Sequence, residues 1–150
     1  MVEQIGHIIM DCLFCKIASG EIDSYTIYED DDVRVFLDIH PLTLGHAVVI
    51  PKQHVKDIIE MKSKLIGPVF SGVKKATEML AEALHAENFT IGINHGRMLG
   101  HPDINHMHIH VIPRFEGDGG GDIHSIVKQS PEEDLEVTHK KIINTNKLKS

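Results

Sequence analysis

The sequence predicts an α+β domain built on an antiparallel sheet. Three short β-rich runs precede one long amphipathic segment and two more follow it, which is the order of strands, helix, strands that such a domain shows. The chain has 150 residues, with 41% apolar and 25% charged. That length supports one hydrophobic core, and that composition is globular, not disordered. Val33 to Leu37 alternates and is β-rich, and Tyr25 to Tyr28 before it makes a hairpin partner, turning through the acidic run Glu29 to Asp32, read as a solvated turn. Gly45 to Ile50 is a buried strand ended by Pro51. Leu65, Ile66, Val69, Phe70, Val73, Ala76, Thr77, Leu80 and Leu84 recur at three- and four-residue steps. They predict the long helix, with Ser63 as N-cap and Pro68 tolerable near its start. Phe89 to Asn94 and Met107 to Ile112 are the last strands. The tail reads as a helix opened by Ser130, with Pro131 at its first position.

No internal repeat or linker-like stretch appears, so no domain boundary is placed between residues 11 and 150. Residues 1–10 lack the basic start and apolar stretch of a signal peptide and read as a loosely ordered extension. No apolar run approaches the ~20 residues that cross a bilayer. Asp and Glu number 22 against 15 Lys and Arg, a net charge of −7. That sign argues against nucleic acid and acidic membranes as partners. The two cysteines, Cys12 and Cys15, leave three readings open: a disulfide closing a tiny loop, a redox pair without the βαβ context it needs, or half of a zinc site. The pair points to a reducing compartment, hence a cytoplasmic protein.

Twelve histidines are the anomaly. His106, His108 and His110 alternate with Met107, Ile109 and Val111, so an extended chain turns three imidazoles to one face and three apolar side chains to the other. Three titratable rings side by side repel one another when charged, so the row calls for a metal, an anion or a reacting group opposite it. Gly96, Gly100 and the run Gly119 to Gly121 fit close backbone approach to a phosphate, and fit flexible turns equally well.

The segment Asn105 to Arg114, NHMHIHVIPR, resembles the signature of the histidine triad (HIT) family of nucleotide hydrolases and transferases. Leu13 to Ile17, Tyr28 to Asp30, Phe36 to Ile39 and Gly45 to His54 resemble the N-terminal blocks of that family in order and spacing. The likeness spans about residues 12 to 116 and is strongest to small archaeal and bacterial members of the Hint branch. It implies a HIT-like fold whose sheet continues across a homodimer, joined through the long helix and the strand after it. It implies His108 as a nucleophile that takes the nucleotidyl group, with His110 and His46 donating to phosphate oxygens. It implies Asp38 on the ribose hydroxyls, Asn94 and Gly100 near phosphate, and Leu13, Phe14, Ile17, Ile22, Phe36 and Ile39 around a purine base. It also implies a structural Zn²⁺ on Cys12, Cys15, His54 and His106, a donor set of suitable softness.

The activity so implied is hydrolysis of a nucleoside 5′-phosphoramidate to AMP or GMP. Alternatives are a dinucleoside polyphosphate hydrolase, a nucleotide-binding or interaction protein with incidental catalysis, and a zinc-holding structural module. One departure stands out. The glutamine and hydroxyl residue that usually precede the triad are missing, and Gly100-His101-Pro102-Asp103-Ile104-Asn105 is one residue longer. His101 or Asp103 is the substitute at hand for the leaving group.

Overall fold

The computed structural model describes residues 12–101, 103–147 and 149, so the expected N-terminal extension lies outside the described residues. The chain divides into two compact units, one through Gly119 and one from Gly120. The first holds α1 (Leu13–Ser19), β1 (Thr26–Glu29), β2 (Val33–Leu37), β3 (Ala47–Pro51), α2 (Ser63–Leu84), β4 (Asn88–Gly92) and β5 (Ile109–Arg114). Its five strands form one sheet in the order β1-β2-β3-β5-β4, every pair antiparallel. The predicted α+β class holds.

The α2 helix lies on one face of the sheet because its apolar stripe and the alternate strand residues share a core. Leu65, Val69, Val73, Ala76 and Leu80 pack with Val33, Val35, Val49, Ile109 and Val111. The helix packs tightly on the sheet at Gly72, where an added Cβ would stand 2.8 Å from Val33 Cγ2. Gly45 is favoured by its φ of +80°, and a Cβ there would also push the Leu84 methyl aside. On the opposite face a smaller cluster joins Cys12, Phe14, Ile17 and Ala18 of the α1 segment to Phe36, Val48 and Ile50. Strand alternation therefore feeds two cores, one on each side of the sheet.

Several expected boundaries move. Ser63 is the first residue of α2 and not its cap; Lys62 is the extended residue before it, and its carbonyl accepts from Leu65 N at 2.9 Å. Pro68 is the sixth helical residue, so the bond it forgoes is the one to Lys64 O in the second turn, and the helix continues past it. The triad does not lie on a ladder as a whole. His110 pairs with Val48 and Gly92, but His106 and His108 precede β5. Met107 N donates to Val55 O at 2.7 Å, which draws this stretch toward the chain leaving β3 and away from β4. With no partner there, β4 ends at Gly92, short of the expected Asn94. Alternation survives regardless, because the segment stays extended: Met107, Ile109 and Val111 enter the larger core.

The acidic run is more than a solvated turn. Asp30 Oδ1 accepts from the amides of Asp32 and Val33, closing the hairpin, and Glu29 pairs with Arg34 and Lys52 at 2.8 and 2.6 Å. The second unit contains a short 3₁₀ turn, Ile123–Ser125, and α3, Leu135–Lys147. The tail helix starts at Leu135, not near Ser130: Asp134 O accepts from Val137 N and Thr138 N, while the Glu133 carboxylate is held by Thr138 Oγ1 and Lys141.

Candidate functional site

The three triad rings serve two separate centres. His106 is 2% exposed, and its Nε2–H donates to the Pro51 carbonyl at 2.8 Å. A neutral ring so fixed keeps its lone pair on Nδ1. That nitrogen lies 3.4 Å from both Cys12 Sγ and Cys15 Sγ. His54 Nδ1 approaches the same sulfurs at 3.5 and 3.1 Å. The four donor atoms all fall within 4.8 Å of one another. A tetrahedral ion at ordinary Zn–S and Zn–N lengths sets such donors roughly 3.5 Å apart, so the spacing fits Zn²⁺. The protonation chemistry fits too. Burial, with Cys12 beside it, pushes the Cys15 thiol up to about 12, so its thiolate needs a cation at hand. Burial also holds His106 down to about 4, keeping it neutral, which is the ligating form. Cys12 is the N-cap of α1, and its Sγ accepts from Cys15 N at 3.2 Å, so the helix start brings both sulfurs to one point.

His108 faces the other centre. Its Nδ1–H donates to the His106 carbonyl at 2.8 Å, which leaves the lone pair of the neutral ring on Nε2. Phe14 meets the ring edge-on, with centroids 5.2 Å apart. Beside it runs a chain of hydrogen bonds whose direction is set by the backbone. Leu42 N donates to His46 Nδ1 at 3.1 Å, so the proton of neutral His46 is on Nε2. That Nε2–H donates to His110 Nδ1 at 2.9 Å, which puts the His110 proton on Nε2. An amide thus orients two imidazoles in series, and the last presents an N–H donor 5.1 Å, centroid to centroid, from the His108 ring. Asp38 closes the group: Oδ1 accepts from His40 N at 2.8 Å, and Oδ2 lies 3.6 Å from His46 Nε2 and 3.9 Å from His110 Nδ1. The turn-capping role of Asp38 uses one oxygen and leaves the other toward the histidines.

Burial lowers His46 below the ordinary imidazole range, opposed by the Asp38 carboxylate, and holds His110 down to about 4, helped by His108 and His46. Unfolded imidazoles take up a proton near 6.5, whereas these stay neutral until the pH is lower. The stability they contribute is present in full above that value and is withdrawn as the pH falls from about 6.5 toward 4. The urea midpoint is expected to be lower at pH 5 than at pH 7, and His110→Gln to remove part of the difference. A midpoint that is flat across this window contradicts the assignment.

The predicted base-pocket residues split. Phe14, Ile17 and Phe36 are buried together, with the Phe14 and Phe36 centroids 5.6 Å apart. Leu13, Ile22 and Ile39 are 42%, 36% and 76% exposed and are not part of that cluster. Asn94 and Gly100 line a cavity of about 610 Å³ that has His106 and His108 in its wall. Lys56, His95, Arg97 and His101 line it as well, and of these only His101 was singled out by its sequence context. Lys56, His95 and Arg97 are ordinary surface residues until the fold gathers them. Asp103 is not among the lining residues, and its carboxylate lies 3.7 Å from His101 Nδ1.

Residues 19–117 match the HIT domain. The chain belongs to the HIT family. A HIT-like protein of Methanocaldococcus jannaschii, itself uncharacterised, is 44% identical over 72% of this chain and 82% of its own length. The adenosine 5′-monophosphoramidase of Schizosaccharomyces pombe is 37% identical over 70% of this chain and 75% of its own. Among solved structures, a HIT family protein from Bacillus anthracis superposes with a TM-score of 0.78 at 34% identity, covering 93% of this chain and 96% of that one. A zinc-bound histidine triad protein from Mycobacterium smegmatis gives 0.67 at 36% identity, covering 73% and 79%. The HIT match begins after Cys12 and Cys15, so the sulfur half of the candidate metal centre lies outside it.

Proposed function

We propose that the protein is a nucleotide hydrolase that cleaves a nucleoside 5′-phosphoramidate through a nucleotidyl-histidine intermediate on His108. The observation that carries this reading is the His108 tautomer: a backbone carbonyl takes Nδ1–H, so the free lone pair is on the other nitrogen. Two imidazoles ordered in series supply a donor next to it. The relative named a monophosphoramidase supports the substrate class. In the first step His108 Nε2 forms a bond to the α-phosphorus, and the P–N bond to the leaving amine breaks with its electron pair going to nitrogen, which takes a proton. His110 Nε2–H donates to a phosphate oxygen as charge builds there. Water then attacks phosphorus, the bond to His108 breaks, and AMP or GMP leaves with the ring restored. Asp38 Oδ2 is the acceptor for ribose hydroxyls, and Phe14, Ile17 and Phe36 are the apolar seat for a purine. His101, on the cavity wall, is the ring placed to protonate the amine.

Zn²⁺ on Cys12, Cys15, His54 and His106 supplies a fixed structural crosslink and no chemistry at phosphorus. Its ligands come from α1, from the chain after β3 and from the triad segment, so binding orients the carbonyl that in turn orients His108. No helix among the described residues is long and apolar enough to cross a membrane, and the proposed place of work is the reducing cytoplasm. Association into a homodimer is supported by the edge position of β4 and by the exposed apolar residues Ile66 and Phe70 on α2 and Ile91 on β4. Light scattering is expected to give twice the chain mass; a monomer at micromolar concentration overturns this part. The hydrolase reading is tested by release of AMP from an adenosine 5′-phosphoramidate, and no release although the nucleotide binds overturns it.

A further inference from the structure

The loop from β2 to β3 carries Asp38, the Leu42 amide and His46, so the order of the two imidazoles depends on where its backbone lies. Leu42 and Leu44 are 74% and 69% exposed, so burial of side chains does not fix this stretch. Thr43 stands between them, half-buried, and its Oγ1–H donates to the Pro113 carbonyl at 2.8 Å, 70 positions away. The pairing of β3 with β5 starts at Ala47 and Val111, so that ladder offers Pro113 no partner. The hydroxyl takes the place of the missing rung. It ties the loop to the strand that bears His110. The Thr43 carbonyl also accepts from His46 N at 3.2 Å, so one residue holds both the strand and the histidine. The Leu42 amide, one residue back along the chain, donates to His46 Nδ1 at 3.1 Å. By contrast, the bond from His40 N to Asp38 Oδ1 stays within the loop and fixes it to nothing else.

We infer that Thr43 is a positioning residue: its hydroxyl clamps the loop to β5 and so keeps the Leu42 amide on His46 Nδ1. With the amide there, the His46 proton stays on Nε2, and the order of protons runs on to His110. Without the hydroxyl, the Pro113 carbonyl loses its partner and the exposed stretch around Leu42 loses its tie to β5. The amide then leaves Nδ1, His46 populates both neutral tautomers, and His110 no longer holds one fixed N–H toward phosphate. Thr43 acts through His46 and is assigned no contact with substrate. This deepens the hydrolase reading; its kinetic part rests on that reading and its tautomer part does not.

The test compares the full-length wild-type protein with Thr43→Val, which keeps the size and removes the hydroxyl, and with Thr43→Ser, which keeps the hydroxyl. Thr43→Ala serves the same comparison where the valine does not fit the loop. Two-bond proton–nitrogen correlation spectra of the histidine rings, in mildly alkaline solution, read the tautomers directly. His46 and His110 are expected as single Nε2–H tautomers in the wild type and in Thr43→Ser. In Thr43→Val the two ring nitrogens of His46 are expected to shift toward one another, the mark of exchange between tautomers. For AMP release from an adenosine 5′-phosphoramidate, kcat is expected to fall roughly tenfold to a hundredfold in Thr43→Val, with KM changed by less than about threefold. Thr43→Ser is expected to restore most of kcat. If the wild type releases no AMP, the hydrolase reading fails, and the spectra still decide whether Thr43 orders the rings. Unchanged tautomers in Thr43→Val overturn the inference even where its melting temperature falls, since that leaves Thr43 a structural role alone. So does a mixed tautomer in a variant that turns over like the wild type, or a loss that Thr43→Ser does not repair.

Discussion

Replacing His108 by alanine is expected to abolish AMP release, by roughly 10⁴-fold or more, because the proposed route has no second nucleophile. Water in the cavity lacks both the fixed direction and the nucleophilicity of an imidazole whose proton is held by the His106 carbonyl. Nucleotide affinity is expected to stay near that of the wild type, since the groups assigned to ribose, phosphate and base are other residues. Zinc content is expected to be unchanged, because the metal donors in this stretch belong to His106 and not to its neighbour two residues on. A variant within tenfold of wild-type turnover rules out a covalent role for His108. A variant that loses metal together with activity places His108 in the scaffold instead. His108→Gln, with a polar chain of similar reach, separates lost chemistry from lost packing against Phe14.

Removal of the proposed zinc is expected to have the second large effect. Exhaustive chelation is expected to lower the melting temperature by on the order of 10 °C, the shift given by a ligand present far above its dissociation constant in a chain of this size. Below the new transition, turnover is expected to fall less, since the metal is assigned no part at phosphorus. Cys15→Ser should reproduce the stability loss and leave the metal content well below one per chain. An unchanged melting curve, with no metal found before chelation, overturns the zinc assignment. The effect is large because the four donors come from three stretches far apart in sequence. Cys12 and His106 are 94 positions apart, so the crosslink ties the first helix to the triad segment. Without a cation the half-buried Cys15 thiol stays protonated, and the cluster loses that tie.

Much of the fold was legible because its periods are short-range. A step of two in Val33 to Leu37 and in His106 to Val111, and a step of three or four from Leu65 to Leu84, are properties of the chain that any packing must respect. Element ends were less legible, for an equally physical reason. The end of β4 depends on where β5 ceases to offer a partner, and that follows from the bond between Met107 N and Val55 O. Lys62 and not Ser63 precedes α2 because a backbone carbonyl, available at any residue type, takes the first bond. Asp134 likewise displaces Ser130 at the last helix.

The candidate site divides in the same way. The sequence by itself determined that three imidazoles share one side of an extended segment, that two cysteines lie one helical turn apart, and that His46 and Asp38 flank a turn. These are statements about neighbours along the chain, where residue spacing translates directly into direction. Only the tertiary structure decided that the histidine row is split between two centres, with His106 turned to sulfur and His108 to the cavity. It alone set the tautomers, because the Pro51 and His106 carbonyls and the Leu42 amide that fix them carry no side-chain signature. It alone brought Lys56 and Arg97 to one cavity, since an exposed charge along the chain is indistinguishable from a solvated one until a cavity forms around it.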